Sequence, residues 1–250
     1  MLIGTAHGRI VIELLEAAGP QTIPRFVRLI QEAEPELGHR PSDARLTFNV
    51  TKPHVEITMA ESAEKAGLQL ALEIDAEALG LHQRRVMDPG EAMDLMQEEI
   101  LPFYIRHRLD GEINSKLETW INQWYVARDA SFLVGTSRKE INEALGYVYK
   151  TGLSSQPVSR GTVVLKPISP FVVSSGLTII LTDIPSRTGL WMVIGRVVEG
   201  MEIADSISAR PLIPPSRASN QFTPVEPVVI ETLRFTCVGG GSDNQKETRK

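Results

Sequence analysis

The chain has one cysteine, Cys237, in 250 residues. A lone thiol cannot close an internal disulfide or build a cysteine-based zinc site, so nothing here asks for an oxidising compartment. No run of about 18 apolar residues occurs, and no membrane-spanning helix or membrane association is expected. The segment Met1-Leu-Ile-Gly-Thr-Ala-His-Gly-Arg has no cationic stretch leading into an apolar one, so the expectation is a cytoplasmic protein without a secretion signal. Positive charge is not in surplus. Twenty-six Lys+Arg against 31 Asp+Glu leave −5, which argues against a nucleic-acid partner, since phosphate binding needs clustered cations. His7, His39, His54, His82 and His107 include no pair four residues apart, so no helical zinc site is expected and each reads as a surface or turn histidine. The glycines at 239–241 lack the Gly-x-x-x-x-Gly-Lys-Ser/Thr of a phosphate loop.

What is present is the composition of an ordinary globule, 42% apolar and 23% charged. Arg9–Leu15 is β-branched and reads as a strand. Thr22 can cap a helix with Pro24 in its first turn and Phe26, Leu29 and Ile30 on one face, while Glu32–Asp43 reads as a loop. Arg45–Val50 and His54–Met59 predict two further strands. From Ala60 to Lys150 helical periods take over. Met93, Met96, Ile100 and Phe103 share one face, and Pro102 is expected to kink or end that helix. Ile113, Leu117, Trp120, Ile121 and Trp124 form a cleaner stripe, read as core packing, and Glu98-Glu99, Glu140 and Glu143 read as solvated helix faces. Beyond Gly152 the pattern is β again: Gly161–Leu165, Leu177–Thr182, Trp191–Val198 and Val228–Phe235, with two helical turns over Met201–Ile207. The glycine-led stretch over 238–250 reads as a flexible tail.

The two β-rich ends resemble the cyclophilin family of peptidyl-prolyl isomerases. Thr5-Ala-His-Gly-Arg-Ile-Val-Ile-Glu-Leu and Gly19-Pro-Gln-Thr-Ile-Pro-Arg-Phe-Val-Arg-Leu are similar to that family's first strand and helix. Val193-Ile-Gly-Arg-Val-Val-Glu-Gly-Met-Glu-Ile-Ala-Asp-Ser-Ile is similar to its most recognisable stretch, and Pro227-Val-Val-Ile-Glu-Thr-Leu-Arg-Phe to its closing strand. The resemblance implies a mainly β fold, an eight-stranded antiparallel barrel with capping helices. The barrel would be built from 1–59 and 151–237 and interrupted by a helix-containing insertion over 60–150. It also implies rotation about X-Pro bonds of proline-containing peptide or protein segments, with no cofactor and no metal.

That rotation breaks amide resonance, a barrier of about 18–20 kcal/mol. A fixed guanidinium lowers it by donating to the pyramidal proline nitrogen while an apolar pocket holds the ring. Here the family's Phe-His-Arg motif falls on Phe48, Asn49 and Val50, so valine stands at the arginine position. The pocket positions that follow fall on Val55, Glu56 and Thr58. The family's Gly-Ser-Gln-Phe-Phe-Ile motif falls on Ser174-Ser-Gly-Leu-Thr-Ile, which includes Leu177 and Thr178. Lys166 occupies the place of a small residue, Arg187 that of a leucine, and Trp191 that of the pocket histidine. Valine cannot donate, so the usual isomerase mechanism is expected to be weak or absent. Two alternatives follow: a remodelled isomerase in which Arg187 or Lys166 aims a cation at the groove and Trp191 takes the proline ring, or an inactive scaffold that binds a protein partner through the groove and insertion. Insertion side chains such as Trp120 or Trp124 filling the groove would favour the scaffold. An open cleft with a cation over an aromatic floor would favour binding of proline segments.

Overall fold

In the second strand of the fold every other residue faces inward: Ile10 and Ile12 are buried while their neighbours are not, the period-two alternation that lets a sheet cover a core on one face. The computed structural model describes residues 1–37, 48–51, 54–57, 70–109, 113–213, 223–226 and 228–235. Its strands are β1 (Leu2–Thr5), β2 (Gly8–Leu14), β3 (Phe48–Thr51), β4 (His54–Ile57), β5 (Leu70–Ala71), β6 (Thr162–Ser169), β7 (Val172–Ile180), β8 (Met192–Glu199), β9 (Leu212–Ile213), β10 (Thr223–Pro224) and β11 (Ile230–Arg234). Pairing runs β11-β1-β2-β8-β6-β7-β4-β3, all antiparallel, with β5 alongside β7 and β9 paired to β10. The sheet curls around a core to which β1, β2, β4, β5, β6, β7, β8 and β11 all contribute. The fold is mainly antiparallel sheet with helices, as the sequence predicts.

Helix α1 (Thr22–Leu37) covers the core with Ile23, Phe26 and Ile30, spaced for one helical stripe. Contrary to the expected loop from Glu32, the helix continues to Leu37, because Gln31, Glu32, Ala33 and Glu34 are all good helix formers. The later helix α6 (Met201–Ser208) covers the same core with Ala204 and Ile207. It begins at Gly200, whose φ is +85°, and where a Cβ would collide with the Arg9 carbonyl oxygen.

Between the two β-rich regions lie α2 (Pro89–Leu95), a wide turn over Met96–Ile100, α3 (Leu101–His107), α4 (Ser115–Ala127) and α5 (Arg138–Ala144). Pro102 neither ends nor breaks this run. The turn before it is π-helical, with the Leu101 N–H donating to the Met96 carbonyl, and Pro102 then enters α3 in its first turn, where its missing N–H is tolerated. These helices pack a second core that includes Met96, Ile100, Leu117, Trp120, Ile121, Trp124 and Ile141. The Trp120 and Trp124 stripe is therefore core, as the sequence predicts.

The two ends of this region are tied to each other and to α1. The Lys150 N–H donates to the Ile74 carbonyl at 2.8 Å. The Glu73 carboxylate, 1% exposed, accepts from the Thr22 N–H at 2.7 Å, the Gln21 N–H at 3.0 Å and Lys150 Nζ at 3.0 Å. Asp75 accepts from the N–H groups of Glu77, Ala78 and Leu153.

Candidate functional site

Residues 185–191 form a loop between β7 and β8, held in position by two hydrogen bonds from outside it. The Thr188 hydroxyl accepts the Val158 N–H at 3.1 Å, and the Tyr149 hydroxyl donates to the Gly189 carbonyl at 2.9 Å. Asn142 on α5 donates to the same tyrosine oxygen at 2.6 Å. Burial pushes the Tyr149 hydroxyl well above its usual range, so it stays a protonated donor. Gly189 adopts φ +86°, and a Cβ there would collide with Leu81. The loop thus presents Arg187 and half-buried Trp191 in one orientation, with the guanidinium over the indole at 5.7 Å from its centroid, within cation–π range.

Beneath the indole lies His54, the first residue of β4. Its ring meets Trp191 edge-on, centroids 5.5 Å apart and planes at 88°. It is 6% exposed, and among the described residues neither ring nitrogen has a hydrogen-bond partner. The expectation of a surface or turn histidine is corrected. Val55 faces the core, so alternation sends His54 to the outer face of the sheet, and Trp191 with Val164, Ile180 and Val193 covers that face. Burial, and then the charges of Lys166 and Arg187, lower its pKa from 6.5 to about 4.

A neutral buried imidazole has a stability consequence. Between pH 6.5 and 4 the unfolded chain binds the proton and the fold does not, so lowering the pH through that window costs stability. The total is about 3 kcal/mol. In His54→Phe this part of the pH dependence is expected to vanish. Thermal unfolding of both proteins from pH 7 to 4.5 checks this, and equal slopes would remove His54 from the account.

Trp191 and Arg187 open onto a cleft of about 600 Å³ between the β6–β8 side of the sheet and the segments that carry Phe103 and Tyr147. Lys166 and Pro167 line the sheet side, while Phe103, Arg106 and Tyr147 line the other. Phe103 rests against His107, ring centroids 4.4 Å apart. A second cavity of about 540 Å³ adjoins, sharing Glu98, Glu99 and Ser186 with the first. Glu99 is not a solvated helix-face residue as expected: it holds Arg138 in a two-point ion pair, with Nη1 at 3.2 Å from Oε1 and Nη2 on Oε2. Glu140, whose side chain is 44% exposed, also caps α5, accepting from the Ser137 N–H at 2.9 Å.

Of the residues singled out in the sequence, Lys166, Arg187 and Trp191 come together at this cleft. Val55 and Leu177 point into the sheet core. Thr178 is fully buried, its hydroxyl without a partner among the described residues. The backbones of Phe48, Asn49 and Val50 pair with Ile57, Glu56 and Val55, but their side chains lie outside the described residues, as does Thr58. Sequence reasoning missed His54, Phe103, Arg106 and Tyr147. The one signal for His54 was strand alternation from Val55, and nothing local marks the insertion residues as facing the sheet. Trp120 and Trp124 are in the second core and do not line the cleft.

No protein-family model matches the sequence, and no curated protein matches it. Among solved structures, the chain overlaps a cyclophilin type peptidyl-prolyl cis-trans isomerase of Cryptosporidium parvum, crystallised in the presence of the dipeptide Ala-Pro. The identity is 13%, 92% of this chain and 93% of that one are covered, and the TM-score is 0.43. It also overlaps a cyclophilin from Hirschia baltica at 13% identity, covering 92% of this chain and 70% of that one, with a TM-score of 0.39. Both are cyclophilins. At these TM-scores the likeness is loose.

Proposed function

We propose that this chain is a cyclophilin-like protein that binds proline-containing polypeptide segments in the Trp191 cleft and has lost most of the catalysis of X-Pro rotation. The observation that carries the reading is the open cleft in which the Arg187 guanidinium stands over the Trp191 ring while the insertion tryptophans are packed elsewhere. A flat indole suits a proline ring, which stacks on aromatic faces with little entropy to lose. The loss of catalysis rests on Val50. Removing one transition-state donor typically costs about 10²–10³ in rate, and a valine supplies none. The division into a β-rich body from 1–59 and 151–237 and an insertion over 60–150 belongs to the same proposal. The second core supports it, while Leu70, Leu72 and Ile74 pack with the sheet.

A second reading, a scaffold that binds a protein partner through the insertion, is favoured by Leu109 and Val126, which are 87% and 88% exposed there. NMR exchange spectroscopy on a capped Ala-Ala-Pro-Ala peptide with substoichiometric protein tests both. The expected result is peptide line-broadening that reports binding, with exchange accelerated less than about tenfold. Acceleration of a thousandfold or more would refute the loss of catalysis, and no binding of any proline peptide would leave the scaffold reading standing.

A further inference from the structure

Deepening the proline-segment reading, and resting on it, we infer that the segment held in the cleft is a polyproline II stretch with two adjacent prolines, one ring on Trp191 and the other against Phe103 and Tyr147 on the facing wall.

The cleft has aromatic faces on both sides. Trp191 stands on the sheet side, and Phe103 and Tyr147 line it from α3 and from the residues after α5. Each ring is half buried and held from behind: Trp191 by the His54 ring, Phe103 by the second core and Tyr147 by both cores. Rings fixed in this way lose little freedom when a ligand arrives. A polyproline II segment is itself already ordered, which is why it docks in aromatic-lined grooves. It has three residues per turn, so neighbouring residues point to different walls and every third residue returns to the same one. Adjacent prolines therefore reach both walls, whereas prolines three apart share one.

The polar groups match as well. Proline has no N–H and polyproline II makes no internal hydrogen bonds, so the segment brings free carbonyl acceptors. The cleft supplies donors and positive charge. Among the described residues Arg187 and Arg106 form no ion pair, and the Tyr147 hydroxyl has no hydrogen-bond partner. Burial raises the Tyr147 pKa above its ordinary 10, so the hydroxyl keeps its proton and can donate. Of the two carboxylates lining the cleft, Glu99 is engaged by Arg138 and Glu98 is exposed to water. Carbonyl dipoles facing two guanidinium groups are electrostatically complementary.

Three acetylated, amidated hexapeptides titrated by NMR against the full chain test this. The alanine hexapeptide has one proline among alanines, the second has Pro-Pro at its centre, and the third has two prolines three residues apart. The Pro-Pro peptide is expected to bind about three- to tenfold more tightly than either of the others, the size expected of one further ring on an aromatic face. Phe103→Leu keeps apolar volume against the second core but removes the ring, and the advantage should fall below about twofold there. Equal binding of the two peptides with two prolines, or an advantage that survives Phe103→Leu, overturns this inference, and binding of the alanine hexapeptide then keeps the proline reading. Failure of all three to bind overturns both.

Discussion

Trp191→Ala is expected to weaken binding of a neutral proline peptide by about tenfold or more, the usual cost of losing a central aromatic anchor. The indole is a large flat surface, half buried at the cleft, and Arg187 and His54 are both arranged around it. Truncation removes the stacking surface and also uncovers the His54 nitrogens, which have no hydrogen-bond partner among the described residues. Trp191→Phe keeps a ring and is expected to recover most of the affinity. NMR titration with the alanine hexapeptide checks both, with the thermal midpoint measured alongside to show that each variant is folded. An alanine variant that binds as well as the parent would exclude Trp191 as the proline platform.

The largest effect on stability is expected at Glu73. Its buried carboxylate accepts two N–H groups at the start of α1 and the Lys150 ammonium, so it joins three distant parts of the chain. In Glu73→Ala the buried Thr22 N–H, the Gln21 N–H and Lys150 all lose their partner, a loss of about 3–4 kcal/mol. For a chain of this size that corresponds to about 6–16 °C in the unfolding midpoint. Glu73→Gln keeps the shape and one acceptor, and about 2 kcal/mol is expected there. Burial raises the Glu73 pKa, but the Thr22 N–H, Lys150 and the Gln21 N–H outweigh it and hold the group below its ordinary 4.5. A lowered carboxylate pKa contributes stability above the ordinary value and loses it as the pH falls below. The parent should therefore lose stability in acid more steeply than Glu73→Gln. Parallel acid-unfolding curves would show that Glu73 carries no charge-dependent stability.

The framework was readable where burial leaves a local period. Ile10 and Ile12 of β2, the Leu117, Trp120, Ile121 and Trp124 stripe of α4, and the Met201–Ile207 turn all lie where alternation or helical spacing puts them. Strand β5 was not readable, because two residues carry no period and their strand character comes from pairing with Val172 and Val173 of β7. Half of the cleft was readable. Lys166, Arg187 and Trp191 were singled out in the sequence, whereas Phe103, Arg106 and Tyr147 reach the cleft only because the helical region packs against the sheet. That approach is set by contacts remote in sequence, such as Asn142 and Tyr149 with Gly189, which no window of neighbouring residues encodes.

The wide turn over Met96–Ile100 also sets an angular phase. Each α-helical residue advances about 100° around the axis, so the extra residue in a π turn rotates everything after it by about that angle. Met96 and Ile100 lie within the second core, while Phe103, packed at its edge, and Arg106 come round to the cleft. One continuous helix thereby serves two surfaces that face different ways. Deleting Gln97 from that turn would swing Phe103 away from the cleft without removing any residue that lines it.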